Sequence, residues 1–253
     1  MSKRQKIRKT IIIGMFFTFP ITIAWMSPAM PIIYGFFGIV VGATIMFLIH
    51  FLFSLFLGRA FCGFVCPGGG LSECLMQIDN KRYKKSKLGA IKYVVWALMV
   101  IATIASFVWA GGIREVEFFG GLEDGWIFLL APYRYVIYFG VLLGILALNL
   151  LLGKRASCHS VCWMAPFMII GMKVSDSLGL PRLRLKGNRN SCNGCSQCSK
   201  KCPMSLDVKA MVETASMKNS ECILCGECVD ICPQKSISYA FSNNASKNNI
   251  NEK

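Results

Sequence analysis

The sequence predicts a mainly α-helical membrane protein, in which four transmembrane helices form two repeated hairpins and a small C-terminal domain follows. Three observations support this fold class. The chain is 54% hydrophobic and only 16% charged, whereas soluble proteins carry about 25% charged residues. No Asp, Glu, Lys or Arg occurs from Thr10 to Gly58. Most of the 13 cysteines lie in two matching runs near the C-terminus.

The charge-free run is long enough for two membrane spans of about 20 residues each. Pro28 and Pro31 mark a turn between these spans, and two more apolar runs follow. Buried helices of a soluble protein are the alternative, but several such lengths in one chain are typical of membrane spans. The predicted helices cover residues 10–26, 33–57, about 90–110 and about 127–152.

Basic residues predict the orientation of these helices, because Lys and Arg favour the cytoplasmic side. The N-terminal tail, the segment between spans two and three, and the residues after span four are basic, whereas the segment between spans three and four is acidic. Both termini are therefore predicted to be cytoplasmic, in the inner (plasma) membrane of a bacterial cell. The net charge of +15 is attributed to this topology and to contact with anionic membrane lipid, and not to nucleic-acid binding. A cleaved secretory signal ending near Ser27-Pro28-Ala29 is an alternative for the first span.

Each C-terminal cysteine run has the spacing Cys-x2-Cys-x2-Cys-x3-Cys-Pro. Three sulfurs at this spacing wrap three corners of an iron–sulfur cube, and the fourth cysteine reaches across to the other cube. Structural zinc and disulfides are the alternatives, but zinc usually takes two cysteine pairs per ion and a cytoplasmic compartment disfavours disulfides. The spacing rule assigns Cys192, Cys195, Cys198 and Cys232 to one [4Fe–4S] cluster, and Cys222, Cys225, Cys228 and Cys202 to a second. The region resembles a bacterial-type two-cluster ferredoxin, which implies a small α+β domain that moves single electrons.

Two further cysteine pairs form an internal repeat. Arg59-Ala60-Phe61-Cys62-Gly63-Phe64-Val65-Cys66 follows the second predicted span, and Arg155-Ala156-Ser157-Cys158-His159-Ser160-Val161-Cys162 follows the fourth. Duplicated hairpins related by an axis along the membrane normal would bring these four cysteines together. Such a site would hold a third [4Fe–4S] cluster or a zinc ion, or would remain four free thiols. Cys74 is left over as the thirteenth cysteine.

Four spans, the paired Cys-x3-Cys segments and the double-cluster tail resemble the NapH-type membrane ferredoxins, which are related to the iron–sulfur regions of NosR and CcoG proteins. The resemblance covers about residues 10–240. It implies membrane-bound electron transfer between the quinone/quinol pool and a redox partner, such as a reductase, a cytochrome or a flavoprotein. A CcoG-like role in copper reduction or oxidase assembly is the alternative. One departure is that Cys66 precedes Pro67, whereas Cys162 precedes Trp163.

The predicted domains are a membrane domain at 1–172, a basic linker at 173–191, a ferredoxin domain at 192–240 and a disordered tail at 241–253. Residues 163–172 are apolar but too short to cross a bilayer, so they are predicted to lie along the surface and to shield the third site. His50 is predicted to lie roughly 12 Å inside the bilayer. A polar residue at that depth is a candidate to bind a quinone, or else it hydrogen-bonds a neighbouring helix.

Overall fold

The computed structural model describes residues 2–84, 87–119 and 132–243, and it confirms that the chain is mainly helical. Three features lie outside the described residues: the acidic residues at 123–124, the start of the predicted fourth span, and most of the tail that is predicted to be disordered. The α-helices are α1 Lys3–Phe17, α2 Phe19–Met26, α3 Ala29–Gly35, α4 Gly42–Leu57, α5 Ala60–Phe64, α6 Pro67–Ile78, α7 Ile91–Trp109, α8 Pro132–Leu152, α9 Ala156–Ser160, α10 Met164–Ser177, α11 Gln197–Lys201, α12 Val208–Glu213 and α13 Glu227–Ile231. The strands are β1 Ile39–Val41, β2 Glu115–Glu117, β3 Arg182–Gly187 and β4 Ile237–Ser242.

Two continuous helices in the described ranges are long and apolar enough to cross a membrane. They cover Leu88–Trp109 and Tyr135–Leu152, with mean hydropathies of 2.0 and 2.3. The first predicted span is instead a pair of helices, α1 and α2, bent by 79°. The break falls next to Pro20, a residue that cannot donate an intrahelical hydrogen bond.

The second predicted span is also interrupted. Helix α3 begins at Ala29, within the predicted Pro28–Pro31 turn, because a proline is tolerated in the first turn of a helix. The chain then turns at Gly38, forms β1 and enters α4, which has 16 residues. At 1.5 Å per residue, α4 is about 24 Å long, which is shorter than the roughly 30 Å hydrocarbon core. The described residues therefore contain two continuous candidate spans, one bent pair and the shorter apolar helix α4.

The apolar run at 163–172 does not lie along the surface as predicted. It belongs to α10, which extends to Ser177 and buries Met168, Ile169 and Met172. A Cβ atom at Gly171 would overlap the side chain of Ser54, so this glycine allows α10 to pack closely against α4. Gly171 was the feature of the sequence that indicated close packing of this helix.

The range 173–191, predicted as a linker, contains the end of α10 and the strand β3. Strand β3 pairs with β4 in an antiparallel sheet, with Arg182 opposite Ser242 and Gly187 opposite Ile237. The sheet residues Leu185 and Ile237 share a buried core with Met204, Val212 and Ile223. The C-terminal unit, called the tail below, therefore includes residues 182–243.

Helix α1 contacts both α6 and the tail. It packs closely on α6, where a Cβ atom at Gly70 would overlap the backbone of Ile12. At its N-terminal end, the side-chain amide of Gln5 donates a hydrogen bond of 2.9 Å to the carbonyl of Cys225. The N-terminal basic segment is therefore part of the folded interior and does not serve only to orient the chain.

Candidate metal centres

The two cysteine runs of the tail share a backbone conformation. The residues on either side of the second cysteine have positive φ in both runs: Gly194 (72°) and Ser196 (59°) in the first, and Leu224 (53°) and Gly226 (75°) in the second. Left-handed residues reverse the direction of the chain within a short gap. The repeated turns wrap each run around a common centre.

Each of two cavities in the tail is lined by four cysteines, three from one run and the fourth from the other run. One cavity is walled mainly by apolar side chains, and we call its cysteines the proximal tail site. The other is lined by more exposed cysteines, which we call the distal tail site. The proximal site comprises Cys202, Cys222, Cys225 and Cys228, and the distal site comprises Cys192, Cys195, Cys198 and Cys232. The structure thus brings together the same groups that the spacing rule predicted.

The proximal site buries its thiols deeply. Burial raises the pKa of Cys202 and Cys222 to about 11, and that of Cys225 to about 12. Neighbouring thiols add to the shift, because the charge of Cys222 raises the pKa of Cys202 and the charge of Cys202 raises that of Cys225. Free thiolates are therefore unfavourable here, and iron is the kind of positive partner that stabilises them.

The four cysteines of the internal repeat also converge, and we call them the membrane-side site (Cys62, Cys66, Cys158 and Cys162). Burial raises the pKa of Cys66, and the charges of the other three sulfurs raise it further. Burial likewise raises the pKa of Cys162 to about 12, with Cys158 and Cys62 as the next causes. The sulfur of Cys62 lies 3.5 Å from the sulfur of Met168 on α10. The apolar run therefore covers this site, although as a buried helix.

A zinc ion and an iron–sulfur cube require different sulfur spacings. In the described ranges, no group of three or more His, Cys, Asp or Glu side chains is placed to hold one metal ion. Thiolates on one zinc ion lie about 3.8 Å apart, because each is about 2.3 Å from the metal. A cube holds each thiolate on a different iron atom and so needs wider spacing.

The membrane-side and proximal tail sites are in direct contact. A Cβ atom at Gly63, between Cys62 and Cys66, would overlap the carbonyl oxygen of Ile223. His159, at the equivalent position of the second repeat, places its Nε2 3.1 Å from the carbonyl oxygen of Met204. Both Cys-x3-Cys segments therefore lie against the loops that carry the proximal cysteines.

A buried ionic cluster lies at this junction, and we call it the Arg–Glu–Arg cluster (Arg8, Glu73 and Arg155). Both guanidinium groups donate hydrogen bonds of 2.9 Å to Oε1 of Glu73. Arg8 also donates to the carbonyl of Gly63 at 3.1 Å, and Arg155 donates to that of Cys62 at 2.9 Å. Burial would raise the pKa of Glu73, but the two guanidinium charges outweigh it and hold that pKa below its ordinary value.

A second buried network joins the first repeat to the tail. Arg59 donates hydrogen bonds of 2.9 Å to the carbonyl of Ser220 and to the carboxylate of Glu221. Lys92 on α7 donates to the same carboxylate. Glu221 immediately precedes Cys222, so this network fixes the start of the second cysteine run to the membrane helices.

Sequence reasoning identified the cysteines but missed these charged residues. The sequence did mark Arg59 and Arg155, because each is the first residue of one copy of the internal repeat. No such signal marked Glu73, Lys92 or Glu221, because their partners lie in distant parts of the sequence.

His50 is buried in α4, close to the membrane-side site. Its Nδ1 lies 2.5 Å from the carbonyl oxygen of Met46, which requires Nδ1 to be the donor. Among the described residues, its Nε2 has no hydrogen-bond partner. The ring contacts Phe61 edge-on at 4.2 Å between centroids, and Phe61 immediately precedes Cys62. His50 therefore has an unpartnered Nε2 lone pair, and its ring contacts the residue that precedes Cys62.

Two family models match the chain. A 4Fe-4S dicluster domain covers residues 184–233, and a 4Fe-4S binding domain covers residues 28–86. The first range contains both tail sites, and the second contains Cys62 and Cys66. Iron–sulfur binding is therefore indicated in both parts of the chain.

Curated relatives extend along most of the chain. An uncharacterized protein of Methanocaldococcus jannaschii is 29% identical over 75% of this chain and 75% of its own length. The putative electron transport protein YccM of Escherichia coli is 26% identical over 76% of this chain and 54% of its own length. The ferredoxin-type protein NapH of Haemophilus influenzae is 23% identical over 79% of this chain and 67% of its own length. No solved structure matches the chain significantly. These matches confirm the resemblance to NapH-type ferredoxins.

Proposed function

We propose that this NapH-type ferredoxin is a membrane protein that passes electrons between the quinone/quinol pool and a redox partner. The observation that carries the proposal is the contiguity of three cysteine sites. The membrane-side site touches the proximal tail site through Gly63 and Ile223, and the proximal and distal sites share one core. Short separations between redox centres are what electron transfer requires.

The cofactor assignment follows the three sites. The proximal and distal tail sites would each hold a [4Fe–4S] cluster, and the membrane-side site would hold a third. Clusters of this type supply one-electron redox chemistry, which the protein adjusts through burial, charge and hydrogen bonds. The donor set fits this role, because each site brings four thiols together and the proximal site surrounds them mainly with apolar side chains.

The chain's own residues would keep the sites at a fixed separation. Gly63 removes any side chain between Cys62 and the Ile223 backbone. Arg59 holds the residues before Cys222 from the membrane side. The Arg–Glu–Arg cluster excludes water from the other flank of the junction, because Arg8 and Glu73 are only 0% and 2% exposed.

The proposed orientation has four spans and both termini on the cytoplasmic side. Its support is that three separate basic segments meet the tail or its neighbours. Arg8 contacts Glu227, Arg59 contacts Glu221, and Lys154 donates to the carbonyl of Lys200. The N-terminal segment and the segments after α4 and α8 therefore lie on the side of the tail, the side that basic residues favour.

The proposed quinol contact is His50. A quinol hydroxyl would donate to the unpartnered Nε2 of His50, since Nδ1 is already committed to the carbonyl of Met46. Oxidation of the quinol yields the quinone, two protons and two electrons. The bare lone pair of Nε2 would accept one proton, and the second would pass to solvent. The two electrons would leave one at a time through the cluster that Cys62 would help to hold, and Phe61, next to Cys62 in sequence, contacts the His50 ring.

The first test counts iron in protein purified anaerobically in detergent. The full-length protein should contain about 12 iron and 12 sulfide atoms, four of each per cube. Cys62→Ser should lower the content to about 8 of each and should leave the EPR signals of the tail clusters intact. Cys74→Ser is the matched control, and it should keep the full content. Full iron content in Cys62→Ser would refute the third cluster.

The second test adds a quinol analogue and follows reduction of the clusters by EPR. The full-length protein should be reduced, and His50→Gln should be reduced at least about tenfold more slowly, as is typical when a positioned proton acceptor is lost. Dithionite should reduce both proteins equally, which controls for cluster content. Failure of every quinol to reduce intact clusters would refute the link to the quinol pool.

A further inference from the structure

The distal tail site is the most exposed of the three cysteine sites. Cys195 is exposed, and Cys192, Cys198 and Cys232 are partly exposed. In contrast, Cys62, Cys225 and Cys228 are buried. A protein partner that exchanges electrons with the chain must come close to a redox centre, because transfer rates fall steeply with distance. The distal site is where a partner can approach most closely.

The distal site also lies at the end of the tail away from the membrane helices. Contacts from the Cys-x3-Cys segments reach Ile223 and Met204, which belong to the proximal loops. Gln5 of α1 likewise contacts Cys225 of the proximal site. A further contact joins Lys154, after α8, to the carbonyl of Lys200. The exposed distal cysteines lie outside these contacts, which favours a soluble protein over lipid headgroups as the occupant.

Basic side chains surround the exposed distal cysteines. Lys209 lines the cavity itself, and a Cβ atom at Gly194 would lie 3.9 Å from its Nζ. The carbonyl of Arg189 accepts a hydrogen bond from the N–H of Cys192, and the N–H of Lys235 donates to the carbonyl of Cys232. Both residues are exposed and lie within one turn of a distal cysteine. Lys200 and Lys201 are also exposed and lie two and three residues after Cys198 in α11, just before the proximal Cys202.

Few acidic groups offset this charge. Glu213 pairs with Lys209 at 3.6 Å, and Asp207 caps α12 and accepts from Ser199. Across the described ranges, no ion pair involves Arg189, Lys200, Lys201 or Lys235. A strongly positive rim therefore encloses the exposed cysteines.

We propose that this rim docks the acidic surface of a one-electron redox protein over the distal tail site. The inference rests on the proposed electron-transfer function and adds the position and the charge of the partner's surface. Complementary charge accelerates encounter and orients the two proteins. Electron-transfer complexes usually have small interfaces of less than about 1,200 Å², which such a rim can supply. One electron passes between the partner's centre and the chain, and no bond is formed or broken.

The test uses the full-length holoprotein in detergent and an acidic [2Fe–2S] ferredoxin as the probe. The ferredoxin is reduced with dithionite, freed of reductant and mixed with oxidised holoprotein in a stopped-flow instrument, so that one electron passes from the probe to the chain. The second-order rate constant should fall at least about tenfold between low and high salt, because screening weakens steering. A rate constant that does not depend on salt would overturn the proposal.

Charge reversal locates the docking surface. The double variant Lys200→Glu/Lys201→Glu should slow the reaction at low salt by about tenfold, and the double Gln variant by a smaller factor. Lys173→Glu is the matched control, because Lys173 is an exposed lysine on α10, and it should change the rate constant by less than about twofold. Tail-cluster EPR signals verify that each variant is folded and loaded. Equal slowing by Lys173→Glu would overturn the proposal.

Two further arms separate the possible failures. A basic cytochrome c should react faster as salt increases, the reverse of the acidic probe. Anionic phosphatidylglycerol vesicles should bind the Lys200/Lys201 charge-reversal variant as well as the unaltered protein, and loss of vesicle binding would assign the rim to lipid instead. Reduction by the quinol analogue should not change in that variant. If quinol fails with the unaltered protein while the salt dependence holds, the quinol link fails and the docking surface stands.

Discussion

Glu73→Gln provides the sharpest test of the junction between the membrane-side and proximal tail sites. The carboxylate is 2% exposed and lies between Arg8 and Arg155. Both Arg8 and Glu73 act electrostatically on Cys225. Glutamine keeps the size of the side chain and one oxygen acceptor, so the main change is the loss of one negative charge.

The expected effect is a higher reduction potential for the cluster bound through Cys225, because reduction adds negative charge. Arg8 donates a hydrogen bond of 2.9 Å to Glu73 and one of 2.6 Å to the side-chain oxygen of Gln5, and Gln5 donates one of 2.9 Å to the carbonyl of Cys225. A unit charge about 10 Å away contributes about 1.7 kcal/mol at an effective dielectric constant of about 20. Since about 1.4 kcal/mol corresponds to about 59 mV for one electron, and the two arginines screen part of the charge, we expect a rise of about 50 mV.

Redox titration monitored by EPR measures this shift. Arg8→Gln should lower the same potential by a similar amount, because it removes a positive charge from the same cluster. Glu117→Gln is the control, because Glu117 lies exposed on β2. This substitution should not change the reduction potential of the cluster. Removing either partner of a buried ion pair also destabilises the fold by about 3–5 kcal/mol, but structural damage has no reason to reverse sign. Shifts in the same direction for Glu73→Gln and Arg8→Gln would refute the electrostatic reasoning.

Three further predictions concern packing and acid stability. Gly171→Val should lower the melting temperature by forcing α10 away from α4, an overpacking cost of about 1–3 kcal/mol, whereas Gly14→Val should not, because nothing lies within 4 Å of a Cβ there. Gly63→Val should separate Cys62 from the Ile223 backbone, so that rapid-freeze EPR shows slower electron transfer between the two sites at unchanged iron content. Burial would raise the pKa of Asp176, but hydrogen bonds from two guanidinium groups outweigh it and lower that pKa to about 2. Because its folded pKa is depressed, Asp176 should stabilise the protein above about pH 4 and lose this effect as the pH falls towards 2. The substitution Asp176→Asn should remove that part of the pH dependence of thermal unfolding. Equal melting temperatures for Gly171→Val and Gly14→Val, or an unaltered acid profile for Asp176→Asn, would contradict these expectations.

Cysteine grouping was predictable because it depends on short-range spacing. A two-residue gap places successive sulfurs around one centre whatever surrounds it, and Cys202 and Cys232 are the residues left to complete each opposite set. The structure groups the same residues around two cavities. The internal repeat was predictable for the same reason, since Arg59-Ala60-Phe61-Cys62 reappears as Arg155-Ala156-Ser157-Cys158.

Helix continuity was less predictable, because an apolar run does not reveal where its backbone bends. The first run contains Pro20, and the structure breaks the helix at Thr18, two residues earlier. The apolar run at 163–172 is too short to cross a bilayer, so its length suggested a segment that lies along the surface. Length alone could not show that Gly171 would pack onto α4. Packing between distant helices decides both outcomes.

The roles of the basic residues were the least predictable. Positive-inside statistics treat Arg8, Arg59 and Arg155 as equivalent exposed charges, yet all three are at most 1% exposed. The acidic partners of Arg8 lie 65 and 219 residues away in sequence. No local pattern encodes such pairs, and the sequence supports only the conclusion that these segments share one side of the membrane.

Charge balance at the junction indicates why these cations are buried. Arg8, Arg59, Arg155 and Lys92 are at most 2% exposed, and the carboxylates of Glu73 and Glu221 face them. Burying an unmatched cation costs several kcal/mol, so further negative charge is needed. Burial would lower the pKa of Arg59, but the charge of Cys62 is the largest of the effects that raise it. Burial would also lower the pKa of Arg155, but the charge of Glu73 raises it most and the charge of Cys158 adds to this effect. The cations are therefore placed to stabilise cysteines in the thiolate form that binds iron, and loading of the membrane-side and proximal sites should stabilise the attachment of the tail to the membrane helices.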